Sequence, residues 1–371
     1  MIKTPDITVV GGGVIGLLTA REFVNAGATV TLIDKGLLGQ ESSWAGGGIL
    51  LPLYPWRQAE AISTLVLQSL RLYPTLATQL LEGTGKDPEW TPCGLLITKN
   101  PDLNAAIDWC QCHQIKFETA PAIFLSNLNT DAEQPLWLPD IAQARNPRLV
   151  KSLIQDLLNK GVTLQEHCQL TDLTLVNNHI THLNTSRGSL PVKQLIISAG
   201  AWTGSLFKQL FPEMLTHTPQ VAPVKGQMLL FDAPPDTLQT MVLDGDQYLI
   251  PRRDGKILAG STVEQTDFNK NTTVAARERL TDFALKLLPA LNKAPLLHHW
   301  AGLRPGTEQG IPYIDRHPSI ANLSINAGHF RNGLVMGPAS AQLMVDLLLN
   351  RPTAVDPRPY QLNRDGKSCA N

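Results

Sequence analysis

Four residues near the start of the chain are spaced for holding a dinucleotide. Gly11, Gly13 and Gly16 form a G-x-G-x-x-G run, and Asp34 follows 18 residues after the last glycine. In such a run the first glycine permits a tight turn and the second lets the backbone approach a pyrophosphate. The third lets a helix pack close to a strand, and an acid at that distance accepts hydrogen bonds from a ribose. The residues between them supply the frame. Ile7–Val10 is a short, β-branched run that reads as a buried parallel strand, and residues 17–26 have helical spacing ended by Gly27. Residues 29–33 read as a second strand closed by Asp34. Strand, glycines, helix, strand and acid in this order are far more specific than the glycines alone. The free N–H groups of the helix start then face the phosphates. Nothing in this unit separates FAD from NAD.

Other stretches carry residues suited to a site. Residues 36–50 hold Ser42, Ser43, Trp44, Gly46, Gly47 and Gly48 and lead directly into apolar Ile49, Leu50 and Leu51. That composition makes poor helix and poor strand, and the apolar run beyond it argues against a solvent loop, so a cofactor-contacting loop is expected. Arg304 stands among small, turn-forming residues between Trp300 and Thr307, where an exposed arginine has no local reason to be. Gly328 and Gly333 bound a loop that contains His329 and Arg331, and Pro338 is expected to open the last helix, running to about Leu349. That helix start is a second candidate anion site. Period-two alternation puts Tyr248, Ile250 and Arg252 on one face, with Tyr248 readable equally as a core aromatic or a site hydroxyl. No metal is expected. Cys110, Cys112 and His113 lack the spacing of haem attachment and have no second cysteine pair for zinc, and adjacent His298 and His299 point apart in an extended chain.

These residues must be positioned by the elements around them. Residues 59–81 have helical spacing broken by Pro74, which predicts two helices or one kinked one. A strand is predicted over 90–98, a helix over 103–111, an amphipathic helix over Asn146–Asn159 and a strand over 162–175. Asn177 and Asn178 form a hairpin turn, and 195–202 is a buried strand ending in small residues, where the chain returns to the first unit. A strand-rich insertion begins near Val221, with Asp254 and Gly255 turning a hairpin between 247–252 and 256–260. A helix follows over 272–288, with Arg277, Glu278 and Arg279 toward solvent, and then a strand over Leu323–Ala327. The tail from Pro352 is polar and proline-rich, docked loosely or disordered. The pattern predicts an α/β protein. A Rossmann-like nucleotide domain comprises 1–88, 141–218 and 301–371, and a discontinuous α+β substrate domain on an antiparallel sheet comprises 89–140 and 219–300.

Composition narrows the class. The chain has 371 residues, 43% apolar and 17% charged, with a formal net charge of −1. That describes an ordinary soluble globular protein, and the balance argues against a nucleic-acid partner, which needs a basic face. Cys93, Cys110, Cys112, Cys168 and Cys369 are odd in number and sparse, which fits free thiols in a reducing compartment. Six residues precede the first strand and no apolar stretch approaches membrane length, so neither a signal peptide nor a membrane partner is expected and the cytoplasm is the expected location.

The residues at 9–16, 42–48, 300–306 and 329–333 together resemble the FAD-dependent D-amino-acid oxidase family, closest to its glycine oxidases of thiamine thiazole synthesis. The likeness covers nearly the whole chain. It is most specific at Ala301-Gly302-Leu303-Arg304-Pro305-Gly306-Thr307 and Gly328-His329-Phe330-Arg331-Asn332-Gly333. Pro223-Val224-Lys225-Gly226-Gln227 and Tyr248-Leu249-Ile250-Pro251-Arg252 agree with it. The resemblance implies FAD held by Gly11, Gly13, Val14, Ile15, Gly16, Asp34, Lys35, Ser42, Ser43, Gly47, Gly48 and Ile49. It adds Leu170 beside the adenine half, and His329, Phe330, Arg331, Asn332, Gly333, Leu334 and Val335 through their backbone. Relatives with covalent flavin use a cysteine near the late strands; none lies between Cys168 and Cys369, so the FAD is expected to be non-covalent. Arg304 and Arg331 are implied to face the substrate carboxylate, with Tyr248 on the same side. The implied reaction is oxidative deamination of glycine or a small amino acid by hydride transfer to FAD. The imino acid hydrolyses to glyoxylate and ammonia, molecular oxygen is the acceptor that yields peroxide, and the assembly is a homo-oligomer. The alternative is a D-amino-acid or sarcosine-like secondary-amine dehydrogenase that uses another acceptor. Trp44 and the Gly46–Ile49 run depart from the alanine-rich family pattern, and residues 53–57 are expected near the flavin entrance, which leaves the substrate side chain open.

Overall fold

The computed structural model describes residues 4–99, 101–214 and 218–364; Cys369 and the end of the tail lie outside them. Among the described residues the strands form one six-stranded, one nine-stranded, one three-stranded and one two-stranded sheet. The six-stranded sheet grows from Ile7–Val10, buried at every position. It lies between Val30–Ile33 and Gln194–Ile197, parallel to both, with Val9 opposite Leu32 on one side and Ile196 on the other. Thr163–Gln165 extends the sheet on the first side and Leu323–Ala327 on the second, and Tyr313–Arg316 closes the far edge antiparallel. Ile7–Val10, Val30–Ile33 and Gln194–Ile197 are short, mostly buried and mainly apolar or β-branched runs, which is why they were legible in the sequence, whereas Tyr313–Arg316 was not expected. The order reverses at Ile7–Val10, and a crevice opens at the carboxyl end of a strand where that happens. Val14–Asn25 packs against Asn146–Asn159 and Gly333–Leu348, and Glu60–Thr84 packs against the latter two.

The nine-stranded sheet is built from strands between Leu95 and Leu138 and between Ala222 and Gly306. Its longest ladder pairs Ala222–Phe231 with Leu296–Gly306, antiparallel. The hairpin Gln247–Pro251 to Ile257–Gly260 forms as the Asp254-Gly255 signal predicts. A separate hairpin of Leu170–Val176 and His179–Thr185 turns at Asn177 and Asn178, with φ of 50° and 58°.

The structure corrects several local expectations. Of the two readings of 59–81, one helix is found: Glu60–Thr84, with Ala59 just before it, continues through Pro74. The strand expected over 90–98 is two pieces, Thr91–Pro92 and Leu95–Lys99, separated at Gly94 with φ 71°. The strand expected over 162–175 also divides. Thr163–Gln165 joins the parallel sheet, the chain turns at His167 with φ 51°, and Leu170–Val176 joins the small sheet. Residues 301–306 are not a turn but the end of Leu296–Gly306, which runs across the domain boundary expected at residue 301. Pro305 is tolerated because that strand has a single neighbour, so its lack of an N–H breaks no second ladder. The last helix begins at Gly333, and Pro338 lies inside it. Pro338 has no N–H for the Leu334 carbonyl; the buried Tyr73 hydroxyl donates to that oxygen instead, at 2.5 Å. The tail is firmly docked as far as Arg364: Tyr360 is buried with its hydroxyl donating to the Ala61 carbonyl at 2.7 Å, and Arg364 lies over Tyr313.

Candidate functional site

The crevice at the end of Ile7–Val10 opens into a cavity lined by both large sheets. At one end is the glycine turn. A Cβ at Gly16 would overlap the Gly11 carbonyl, so the helix reaches this strand only with glycine there. Gly13 is under no such pressure: an added Cβ would meet only Ser43 Oγ, at 3.1 Å, and that side of the residue faces the cavity. The Val14 N–H donates to the same Ser43 Oγ at 2.8 Å, which ties the later loop to the helix start. Asp34 accepts from the N–H of Gly12 at 2.7 Å and of Gly36 at 2.8 Å, so it holds the turn as well as lining the cavity. Each oxygen keeps lone pairs for a ribose. Lys35 lies 3.6 Å above the Trp202 ring, and burial pushes its pKa down. Leu170 lines this same cavity.

The serine–glycine stretch is tethered rather than loose. Ser42–Ala45 form a single helical turn; Asn146 Nδ2 donates to the Ser43 carbonyl at 3.0 Å, and Trp300 Nε1 donates to the Ala45 carbonyl at 3.1 Å. Trp44 meets Trp300 edge-on, centroids 5.5 Å apart. Across the cavity Asn332, Gly333 and Leu334 bring in the start of the last helix. The helix start expected as a second candidate anion site lies on the cavity wall, five residues before Pro338. The N-termini of two packed helices, at Val14 and Gly333, converge on one cavity with their partial positive charges.

The other end is cationic. Arg304 Nη1 donates to the carbonyls of Thr262 at 3.0 Å and Lys225 at 3.3 Å, and Nη2 to Ser261 Oγ at 2.9 Å. A Cβ at Gly226 on the neighbouring strand would overlap this guanidinium, so glycine is required for the arginine to lie there. Burial pushes Arg304 down to about 10, while Tyr248 favours its charged form and Arg331 opposes it. Arg331 also lines the cavity, and its buried Nη2 has no partner among the described residues. Tyr248 answers to both of its sequence readings: its ring is buried, and its hydroxyl reaches the Arg304 guanidinium and Met228 Sδ, the latter at 3.4 Å.

Every residue expected at the site lines this cavity except Gly16 and Val335. Gly16 serves the strand–helix contact, and Val335 is buried in the core. Asn146, Ser198 and Asn326 line the cavity and were not expected. The signal for Asn326 was a polar side chain in the middle of an apolar central strand; Ser198 lay in the turn after 195–197; Asn146 carried no distinguishing signal. Asn146 Oδ1, Ser198 Oγ, Asn326 Oδ1, His329 Nδ1 and Arg331 Nη2 are buried atoms of lining residues with no hydrogen-bond partner among the described residues. Buried polar groups in native proteins are nearly always paired. These donors and acceptors, two helix N-termini and the open side of Gly13 fit a large anionic nucleotide.

Cys110 is buried and Cys112 exposed on one helix, and His299 Nε2 bonds Gln227 Oε1 at 3.0 Å. Among the described residues no helix is long and apolar enough to cross a membrane.

The family described as DAO, FAD dependent oxidoreductase, matches residues 6–347. The chain is 44% identical over 360 residues to the glycine oxidase of Pseudomonas putida, covering 96% of this chain and 97% of that protein. It is 30% identical over 362 residues to the bifunctional protein ThiO/ThiG of Synechocystis, covering 95% of this chain and 52% of that protein. The crystal structure of glycine oxidase from Geobacillus kaustophilus superposes with a TM-score of 0.91 at 27% identity, covering 97% of this chain and 99% of that one.

Proposed function

This chain belongs to the FAD-dependent oxidoreductase family, and from that premise we propose that it oxidatively deaminates glycine and similarly small amino acids. The observation that carries the substrate class is Arg304, a buried cation at the cavity wall held by neutral oxygens, on a cavity that Arg331 also lines with a buried nitrogen unpartnered among the described residues. A planar guanidinium suits a carboxylate in a two-point contact. Tyr248, Met228 and Gly47 line the same cavity as Arg304 and Arg331, and a Cβ at Gly47 would already meet Ile250 and Tyr248, which supports a small substituent on the α-carbon. Orientation of this kind contributes on the order of 7–11 kcal/mol to such reactions at best. FAD, when bound, supplies the acceptor for the hydride from the α-carbon. Gly11, Gly13, Val14, Ile15, Asp34 and Lys35 would hold its nucleotide half, with Leu170 beside the adenine. The Ser42–Ile49 stretch and the backbone from His329 to Leu334 would hold the rest. No side-chain base is assigned, because the substrate amine enters neutral and the α-hydrogen leaves as hydride.

The reading includes molecular oxygen as acceptor, supported by the oxidase names of the relatives. Similarity to ThiO/ThiG supports a role in thiamine thiazole synthesis. A homo-oligomer follows from the family resemblance, and the free thiols support the cytoplasm. The nucleotide and substrate domains are assigned to the six-stranded and nine-stranded sheets respectively, supported by which strands line each end of the cavity.

The test is anaerobic titration of the purified protein with glycine, sarcosine and D-alanine, following flavin absorbance at about 450 nm. Bleaching by glycine that reverses in air with release of peroxide is expected. Bleaching without rapid reversal would move the acceptor away from oxygen. A yellow protein that none of the three bleaches would sink the substrate class.

A further inference from the structure

The face that carries Tyr248, Ile250 and Arg252 packs on a single glycine of the cavity wall. A Cβ at Gly47 would lie 2.8 Å from Ile250 Cδ1 and 3.0 Å from Tyr248 Cε2, and the Gly47 carbonyl accepts from Arg252 Nη2 at 2.7 Å. Gly47 lines the cavity and Arg252 does not, so the guanidinium stands one peptide behind the wall. Its Nη1 donates to Gln143 Oε1 at 2.5 Å, and Gln143 is fixed in turn by its Nε2 donating to the Pro251 carbonyl at 2.6 Å. Both acceptors are neutral. The carboxylates nearby are engaged elsewhere: Glu89 by Arg145 at 3.0 Å and by Arg148, Asp254 by Arg145 at 3.0 Å and Lys256 at 3.4 Å. Arg252 is therefore a buried cation with no counter-ion in ion-pairing distance among the described residues, and burial pushes it down to about 10. Such a charge is costly to bury, and holding a carbonyl and an amide oxygen does not require one.

The peptide between Gly47 and Gly48 gives the charge a route to the cavity. A trans peptide sets its C=O and N–H on opposite sides. With the Gly47 carbonyl drawn outward to Arg252, the Gly48 N–H is turned toward the cavity, and it donates to no protein acceptor among the described residues. Cation, carbonyl and N–H form one line of dipoles with its positive end at the wall.

We propose that Arg252 is a positioning residue that sets the redox poise of the bound flavin. Its charge, relayed through the Gly47–Gly48 peptide, favours the single negative charge that the flavin gains on taking up two electrons and one proton. The source of those electrons is the amino acid in turnover, or a chemical reductant in a titration. The proposal rests on FAD binding and not on which amino acid is oxidised, since the potential is read with no amino acid present.

The experiment is the two-electron midpoint potential of the FAD-loaded protein, equilibrated against reference dyes, for the native chain and three variants. Arg252→Met is expected to disfavour reduction at least tenfold, a potential lower by about 30 mV, while Arg252→Lys keeps most of the native value. Gln143→Glu leaves the arginine in place and sets a carboxylate on its Nη1; it is expected to lower the potential in the same direction and serves if Arg252→Met does not load FAD. An unchanged potential in whichever of Arg252→Met and Gln143→Glu loads FAD, or an Arg252→Lys value as low as that of Arg252→Met, overturns the proposal.

Discussion

Arg304 keeps its charge in a buried setting because three neutral oxygens hold two of its nitrogens, and burial brings it no lower than about 10. If Arg304 binds the substrate as proposed, removing its head group leaves the substrate carboxylate desolvated and half-paired. Arg304→Ala is expected to weaken substrate binding by roughly 2–5 kcal/mol, raising KM steeply while FAD loading, measured by the absorbance ratio of flavin to protein, stays native. An unchanged KM for glycine would remove Arg304 from the site. His329 makes a different kind of prediction. Its ring is fully buried, Nε2 bonds Ser340 Oγ at 2.9 Å, and burial alone pushes its pKa down to about 3. The folded value lies below that of the unfolded chain, about 6.5, so the unfolded state takes up the proton first as pH falls. The stability tied to neutral His329 is fully present above that pH and is lost toward 3, with a slope of roughly 1.4 kcal/mol per pH unit. Urea unfolding of the FAD-free protein between pH 7 and 4 should show that slope, and His329→Gln should flatten it. Parallel slopes in the two proteins would mean that His329 is protonated or open to water in the fold.

Among the elements, Gly333–Leu348 shows most clearly how tertiary contacts decide what local rules leave open. A proline opens a helix well, but within one it leaves the carbonyl four residues earlier without a donor. Here that carbonyl belongs to Leu334, and Tyr73, reaching across from Glu60–Thr84, bonds it at 2.5 Å. Tyr73→Phe should therefore cost about 1–3 kcal/mol, the range for a buried acceptor left unpaired. Adding Pro338→Ala, which restores an N–H within the helix, should recover much of it. Strictly additive losses in the double-mutant cycle would show that the two residues are not coupled. This helix start was out of reach of local reading, since no pattern near Pro338 announces a partner more than 250 residues away. The same holds for Ala301–Gly306, whose small residues and proline look like a turn until a ten-residue partner strand fixes them. What could be read was set locally. Ile7–Val10, Val30–Ile33 and Leu323–Ala327 are almost wholly buried and keep enough apolar or β-branched residues to read as strands, and Asn177 and Asn178 tolerate the positive φ that their hairpin needs. The glycine turn and both arginines were legible for that reason and through the family resemblance. The bond from Gly12 to Asp34 and the place of Asn326 on the cavity wall depend on neighbours distant in the chain, so they were not.

At the scale of the molecule, the cofactor site is also part of the core. The glycine turn and the Gly333 helix start belong with the six-stranded sheet, Tyr248 and Arg304 with the nine-stranded one, and all face one cavity. Five buried polar atoms of residues lining it have no partner among the described residues. Each such group costs about 1–3 kcal/mol when left unpaired, so the FAD-free chain is expected to be markedly less stable than the holoenzyme. Mass action alone adds about 2.7 kcal/mol when FAD is at a hundred times its Kd. The origin of that gain is open to measurement by amide exchange. If FAD joins the two sheets, its removal should speed exchange at three separated places together: the helix start at Val14–Gly16, the Gly46–Gly48 wall, and the turn at Gly333–Val335. Val14, Ile15, Gly46, Gly47, Gly48, Gly333 and Leu334 line the cavity from three stretches distant in the chain, so loss of one common ligand is expected to act on all three together. Loss of protection confined to the glycine turn would instead mean that the second sheet holds its share of the site without the cofactor. The arginine pair would then be pre-formed, and the order of assembly would run from substrate pocket to cofactor rather than the reverse.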